Sequence, residues 1–171
     1  MSRAAEVRAR HGHTLVDEIY QGLTYSGPHH PTALGLGEDL FVVNSFSKAW
    51  AMTGWRVGWL VHRQGLDTQM AEMAAYNNTG SAVFAQYGAL EAITKGDAFV
   101  KWQLERCRNG LAIVEKFIAS QNRITWSRPA GAFYGFLAVE GMTDSVAFAK
   151  RLLLEAKVGV APGSAFGPRG D

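Results

Sequence analysis

The sequence predicts an α/β fold, because short apolar runs alternate with longer segments of helical periodicity along its 171 residues. Three runs have the length and β-branched content of strands and lie close together, at residues 13–16, 40–43 and 56–61. Farther on, apolar side chains recur at spacings of three and four over residues 97–120, which predicts a long amphipathic helix. We therefore expect a sheet followed by a helix that joins two layers or domains.

The elements before and after the strands follow from local signals. The first dozen residues are rich in Ala, Arg and Glu and predict the end of a helix. Asp17 then stands at the C-terminal end of the first strand, and residues 22–37 hold glycines and prolines that predict an irregular, turn-rich stretch. Two helices are predicted at residues 66–76 and 83–93.

The last third of the chain predicts three further strands and one helix. The strands are expected at residues 124–126, 132–139 and 158–160. Thr143 or Asp144 precedes an apolar periodic segment and is expected to open the helix.

The composition favours some classes of protein and disfavours others. With 47% hydrophobic residues, the chain can bury one sizeable core. Seventeen basic and fifteen acidic residues give a net charge of +2 without a block of one sign, so a nucleic-acid partner is not predicted. No segment approaches the roughly 18 apolar residues of a membrane span, so we expect a cytoplasmic protein without a membrane partner. The single cysteine, Cys107, falls on the predicted apolar stripe of the long helix and is expected to be buried.

Lys48 is the strongest candidate for chemistry. It follows an apolar strand, has Ser45 and Ser47 beside it, and precedes a loop that is rich in tryptophan. An amine attacks a carbonyl only when it is unprotonated, and apolar surroundings and a nearby cation favour that form. Arg56 supplies such a cation, and its guanidinium suits a bidentate grip on a phosphate. Although a lone lysine or arginine is usually a solvated surface residue, the two together predict a pocket for pyridoxal phosphate (PLP).

The same segment resembles a known family. Residues 45–58 read Ser-Phe-Ser-Lys-Ala-Trp-Ala-Met-Thr-Gly-Trp-Arg-Val-Gly, which resembles the PLP-attachment pattern of class I aminotransferases, including the eight-residue step from lysine to arginine. Upstream, Asp17 and Tyr20 resemble the aspartate and tyrosine pair of that family. Residues 77–90, 129–134 and 162–167 resemble its later segments, so the resemblance covers almost the whole chain.

The resemblance implies a role for each matching residue. Lys48 would form the Schiff base with PLP and later move the proton at the substrate's Cα. Asp17 would pair with the pyridine nitrogen of PLP, and Tyr20 would bond to its phenolic oxygen. Three residues would hold the phosphate: Ser45, Ser47 and Arg56.

The resemblance also implies a fold and a domain division. The fold would be that of the PLP-dependent transferases of the aspartate aminotransferase kind. Residues 1–115 would be the C-terminal part of the large, PLP-binding domain, and residues 116–171 an incomplete small α+β domain. Members of the family are much longer, so we expect an internal fragment with little activity alone, from a parent that is a homodimer. Arg169 is not expected to be the arginine that binds the substrate's carboxylate.

The expected activity is transfer of an amino group between an L-amino acid and a 2-oxo acid. Two alternatives stay open: a PLP-dependent lyase or decarboxylase of the same fold, and a non-catalytic truncated paralogue. The histidines at positions 11, 13, 29 and 30 have no carboxylate or cysteine at matching spacing, so no metal is predicted.

Overall fold

The computed structural model describes residues 6–7, 12–25, 32–37, 39–168 and 170. The chain divides into two compact units. The first contains residues 1–109 with 130–132, and the second contains residues 110–129 with 133–171. The domain boundary expected after residue 115 stays a prediction.

A three-stranded sheet forms the centre of the first unit. Strand β1 (Thr14–Asp17) pairs in parallel with β2 (Leu40–Ser45), and β2 pairs antiparallel with β3 (Gly58–Val61). Alternate residues of β2 point to a small buried cluster, whose members are Ala33, Leu40 and Val42. Because β1 and β2 are parallel, their carboxyl ends lie at the same edge of the sheet.

The strands of this sheet differ from the predicted ones mainly at their ends. The first is displaced by one residue and the second extends two residues farther, to Ser45. The third begins at Gly58 rather than at Arg56, because Arg56 has a left-handed backbone with φ of 55°. The backbone nitrogen of Phe46 donates to the carbonyl of Val57 at 3.2 Å, so the two chain segments remain bonded just beyond the strands.

Three helices follow the sheet: α1 (Asp67–Asn78), α2 (Val83–Lys95) and α3 (Asp97–Ala119). Their predicted bounds are confirmed to within two residues. Helix α2 buries Ala85 and Ala89 in a cluster with Phe46 and Val57, which flank the lysine loop. The small alanine side chains allow the helix to approach this loop closely.

The second unit contains a two-stranded sheet and a short helix. Strand β4 (Ile124–Trp126) pairs antiparallel with β5 (Leu137–Val139). Asp144 caps helix α4 (Ser145–Arg151), because its carboxylate accepts from the backbone nitrogen of Ala147 at 2.9 Å. The prediction that a residue at this position opens the helix is confirmed for Asp144. The helix continues as a wider turn, Leu152–Ala156.

Three predictions about local structure are wrong. Residues 132–136 are not a strand, because the nitrogen of Ala132 donates to Leu23 and its φ of 63° turns the chain away before β5. Residues 158–160 form no strand, and Val158 and Val160 are 49% and 46% exposed in a segment without a paired neighbour among the described residues. Cys107 is half-buried rather than buried.

Other predictions concern parts of the chain that the structure describes incompletely. Within the described ranges, no helix is long and apolar enough to cross a membrane. Those same ranges hold no group of three or more potential ligands for a metal ion. His11, His29, His30 and Arg169 lie outside the described residues, as does most of the predicted first helix, of which residues 6–7 are helical.

Candidate cofactor site

The sheet edge brings the two predicted motifs together. Asp17 ends β1 directly beside Val43 of β2, and the nitrogen of Glu18 donates to the carbonyl of Val43 at 2.9 Å. Two residues after Val43, Ser45 ends β2 and the lysine loop begins. Both motifs therefore leave the sheet at its carboxyl edge, the place where α/β sheets bind ligands.

The first motif is held by short-range hydrogen bonds. The carboxylate of Asp17 accepts from the nitrogen of Ile19 at 3.0 Å, which fixes it at the strand end. The nitrogen of Leu23 donates to the carbonyl of Tyr20 at 3.1 Å, so the chain turns back after the tyrosine. The Nζ atom of Lys48 lies 5.9 Å from the centre of the Tyr20 ring, within the range of a cation–π contact. The structure thus places two of the predicted site residues side by side.

The lysine loop begins with a serine turn. The Oγ atom of Ser45 accepts from the nitrogen of Ser47 at 3.1 Å. A hydroxyl that accepts one bond keeps its own proton to donate, for example to a phosphate oxygen. Ser47 is buried, and the carbonyl of Lys48 accepts from the nitrogen of Ala51 at 3.1 Å. This turn presents the lysine side chain, which is only half-buried.

Arg56 is linked back to the serine turn through Thr53. Its Nη1 atom donates to the carbonyl of Thr53 at 2.9 Å, and the hydroxyl of Thr53 donates to the carbonyl of Ser47 at 3.0 Å. Ala51 and Arg56 both have positive φ, at 53° and 55°, which costs on the order of 1–3 kcal/mol for each residue. The surrounding hydrogen bonds hold the loop in this strained shape.

Helix α2 packs against the lysine loop through two tryptophan side chains of that loop, Trp50 and Trp55. The Nε1 atom of Trp50 donates to the carbonyl of Ala92 at 3.0 Å, and the ring of Trp50 lies 5.0 Å from that of Phe46. A Cβ atom added at Gly88 would stand 2.3 Å from the ring of Trp55, so only glycine leaves room for this contact. The loop is therefore packed on a rigid element, as a precise binding site requires.

The predicted site residues form a set with a clear chemical character. Along the chain they offer the carboxylate of Asp17, the phenol of Tyr20, the hydroxyls of Ser45 and Ser47, the primary amine of Lys48 and the guanidinium of Arg56. The guanidinium and hydroxyls suit a phosphate, and the amine suits an aldehyde. The contacts between Lys48 and Tyr20, and from Ser47 through Thr53 to Arg56, fit a ligand that carries both groups.

Two residues beside the predicted ones were given no role by the sequence. Thr53 is one. A hydroxyl residue in an otherwise apolar, glycine-containing loop indicates a hydrogen-bonding role, so its sequence context could have marked it. Glu18 is the other. Its carboxylate accepts from the nitrogen of Ala33 at 2.6 Å and from the hydroxyl of Thr32 at 2.9 Å, which ties residues 32–33 to the end of β1. No sequence pattern marks that pairing, since it depends on the fold.

Known proteins resemble the chain over nearly its whole length. The family model for aminotransferase class I and II matches residues 4–171. A probable N-acetyl-LL-diaminopimelate aminotransferase of Bacillus subtilis is 36% identical over 99% of this chain and 43% of its own length. An aspartate aminotransferase of Thermotoga maritima is 32% identical over 93% of this chain and 41% of its own length.

Solved structures agree with the sequence comparison. An aromatic aminotransferase from Pyrococcus horikoshii superposes with a TM-score of 0.87 at 31% identity, covering 98% of this chain and 46% of that one. An aspartate aminotransferase double mutant from Thermus thermophilus gives 0.85 at 32% identity, covering 95% and 43%. The chain spans less than half the length of these relatives. The predicted fold and family are confirmed: the chain belongs to the class I and II aminotransferases, a PLP-dependent family, and has their PLP-dependent transferase fold.

Proposed function

We propose that the chain is part of an aminotransferase that moves an amino group between an L-amino acid and a 2-oxo acid with PLP. The observation that carries the proposal is the placement of Lys48 beside Tyr20, in a loop whose other end holds Arg56. This activity is proposed for the whole protein, because the chain spans 43% of the length of the Bacillus subtilis relative.

Each site residue has a proposed part in holding the cofactor. When bound, PLP supplies an aldehyde that condenses with amines and a ring that withdraws electrons from the substrate's Cα. The guanidinium of Arg56 and the hydroxyls of Ser45 and Ser47 would bind the phosphate. The carboxylate of Asp17 would hold a proton on the ring nitrogen, since an anion there favours the protonated form.

The remaining two residues act at the reacting end of the cofactor. The Nζ atom of Lys48 would be the covalent anchor and would afterwards move the proton at the substrate's Cα. The phenol of Tyr20 would donate to the phenolic oxygen of PLP. Because the Tyr20 ring lies 5.9 Å from Nζ of Lys48, the tyrosine and the lysine could both act at the same end of one cofactor.

The names of the relatives favour transamination over the lyase and decarboxylase alternatives. The relatives described above are aminotransferases by name, and those names include aspartate, aromatic and N-acetyl-LL-diaminopimelate substrates. Because these side chains differ in charge and size, the proposal stops at the class of L-amino acid and 2-oxo acid.

Four further proposals concern the whole protein: its dimeric state and domain division rest on the family resemblance, and its location and class of ligand rest on its composition. The whole protein would be a homodimer, it would work in the cytoplasm, and residues 1–115 and 116–171 would belong to its large and small domains. Its ligands would be small molecules rather than nucleic acid or membrane.

Borohydride labelling tests the anchor. The chain is incubated with PLP, reduced with borohydride, digested and analysed by mass spectrometry. We expect the added mass on the peptide that contains Lys48 and its loss in Lys48→Arg, which keeps the charge but forms no stable imine. Lys95→Arg is the matched control, because Lys95 is an exposed partner of Glu91 on α2 and should not affect the label. A label spread evenly over surface lysines, or kept in Lys48→Arg, would contradict the proposal.

A single-turnover experiment tests the reaction in the whole protein. We expect an L-amino acid to convert the bound cofactor to pyridoxamine phosphate with release of one equivalent of 2-oxo acid. Release of ammonia or carbon dioxide instead would favour the lyase or the decarboxylase.

A further inference from the structure

Thr53 contacts both functional ends of the lysine loop. Its hydroxyl donates to the carbonyl of Ser47 at 3.0 Å, and its own carbonyl accepts from the Nη1 atom of Arg56 at 2.9 Å. The carbonyl of Ser47 belongs to the peptide group whose nitrogen is that of Lys48. One residue therefore touches the peptide plane in front of the lysine and the guanidinium of the arginine.

The loop depends on such a link because its backbone does not favour this shape. Ala51 and Arg56 lie in the left-handed region, which residues with a Cβ atom rarely adopt. Backbone bonds from Ala51 to Lys48 and from Met52 to Phe46, both 3.1 Å, fix the first half of the loop. The hydroxyl of Thr53 then ties the second half, which carries the guanidinium, to the first.

We infer that Thr53 is a positioning residue that sets where the Arg56 guanidinium stands relative to the lysine turn, and thereby how firmly the site grips a phosphate. It is not a ligand of the cofactor. The inference rests on the proposed function for the identity of that ligand, but its geometric part concerns this chain alone.

Two substitutions separate the hydroxyl from the size of the side chain. Thr53→Val keeps the shape of the side chain and removes the donor, whereas Thr53→Ser keeps the donor and removes the methyl group. Thr53 is exposed, so neither change leaves a cavity in the core. Thr94→Val is the matched control. It removes the same atom from an exposed threonine of α2, whose hydroxyl donates to the carbonyl of Leu90 at 2.7 Å.

Hydrogen exchange without any ligand tests the geometric part. Amide protons of residues 51–55 should exchange several-fold faster in Thr53→Val than in the unchanged chain. Thr53→Ser and Thr94→Val should leave that exchange unchanged. Equal exchange in Thr53→Val and the unchanged chain would overturn the inference.

Comparison of PLP with pyridoxal, which lacks the phosphate, tests the functional part. Dissociation constants are measured by titration of each ligand's absorbance. Thr53→Val should weaken PLP binding about tenfold, or about 1.4 kcal/mol, and leave pyridoxal binding unchanged, while Thr53→Ser restores the affinity for PLP. An equal loss for both ligands would mean a structural role only and would overturn the inference. If the unchanged chain itself fails to prefer PLP over pyridoxal, the proposed function fails, and the exchange experiment still decides the role of Thr53.

Discussion

Gly58 gives the sharpest test of how the site is built. It opens β3 opposite Ser45, and a Cβ atom added there would lie 2.6 Å from the carbonyl oxygen of Asn44 and 2.9 Å from the Cβ atom of Ser45. Ordinary contacts are about 3.3 Å for carbon to oxygen and about 3.5 Å for carbon to carbon, so each overlap is about 0.6–0.7 Å. The main obstacle is backbone, which cannot rotate away, so β2 and β3 must separate.

The size of the effect follows from known costs of overpacking. Such insertions destabilise the folded chain by about 1–3 kcal/mol. Replacing glycine by alanine also stabilises it by about 0.4–1 kcal/mol, because the unfolded chain loses conformational freedom. Gly54, four residues earlier, is the matched control, because a Cβ atom added there would have no other atom within 4 Å. This stabilisation through the unfolded chain should be similar in both variants. We therefore expect Gly58→Ala to be less stable than Gly54→Ala by about 2 kcal/mol.

Urea denaturation followed by tryptophan fluorescence measures this difference. Three of the five tryptophans, at positions 50, 55 and 59, lie in the loop or in β3 and report on this region. With a slope of about 2 kcal/mol per molar urea, the midpoints of the two variants should differ by about 1 M. Equal midpoints would refute the claim that the glycine is needed for the close approach of β2 and β3.

Three smaller predictions concern other parts of the chain. Gly110→Ala should raise the free energy of unfolding by about 0.5–1 kcal/mol, because this glycine lies inside α3 and an added Cβ atom would meet nothing within 4 Å beyond the neighbouring backbone of its own helix. A lower free energy of unfolding in urea denaturation would contradict the open space seen there. Asp144→Ala should lower the free energy of unfolding by about 1 kcal/mol, because it removes the cap of α4, whereas Asp144→Asn should retain most of the stability. Equal losses of stability in the two variants, measured by thermal unfolding, would rule out the capping role. Burial raises the pKa of the Cys107 thiol and the neighbouring Arg106 partly opposes it, so less thiolate exists at a given pH in the folded chain. Its reaction with a disulfide reagent should therefore be slower than in the urea-unfolded chain, with a midpoint at higher pH, and a lower midpoint would contradict this.

Local patterns predicted the parts of the structure that depend on local chemistry. The bounds of α1, α2 and α3 follow from periodicity and end signals, and the lysine segment is recognisable because all its constrained residues lie within fourteen positions. The site roles themselves stay proposals, although the contact between Lys48 and Tyr20 agrees with them.

What sequence could not predict depends on distant partners. Residues 132–136 look like a strand, but the chain leaves the bridge between Thr24 and Gly131 through Ala132, whose positive φ interrupts an extended backbone. Cys107 lies on an apolar stripe, yet how much of that stripe is covered depends on what packs against α3. Thr53 likewise has a visible hydroxyl, while its two partners appear only once the loop is folded.

The antiparallel direction of β3 has a consequence for how the site assembles. Since β3 runs back along β2, the chain from Ser45 to Gly58 closes on itself within a short loop, and such a closure costs little entropy. The segment that carries both the amine and the guanidinium can therefore form early in folding through neighbouring residues alone. Asp17 ends β1 and Tyr20 follows it, and the parallel pairing of β1 with β2 joins residues far apart in sequence, so we expect these two side chains to be positioned later. We therefore expect the part of the site that would bind the phosphate to form from local contacts, and the part that would face the ring to form only with the sheet.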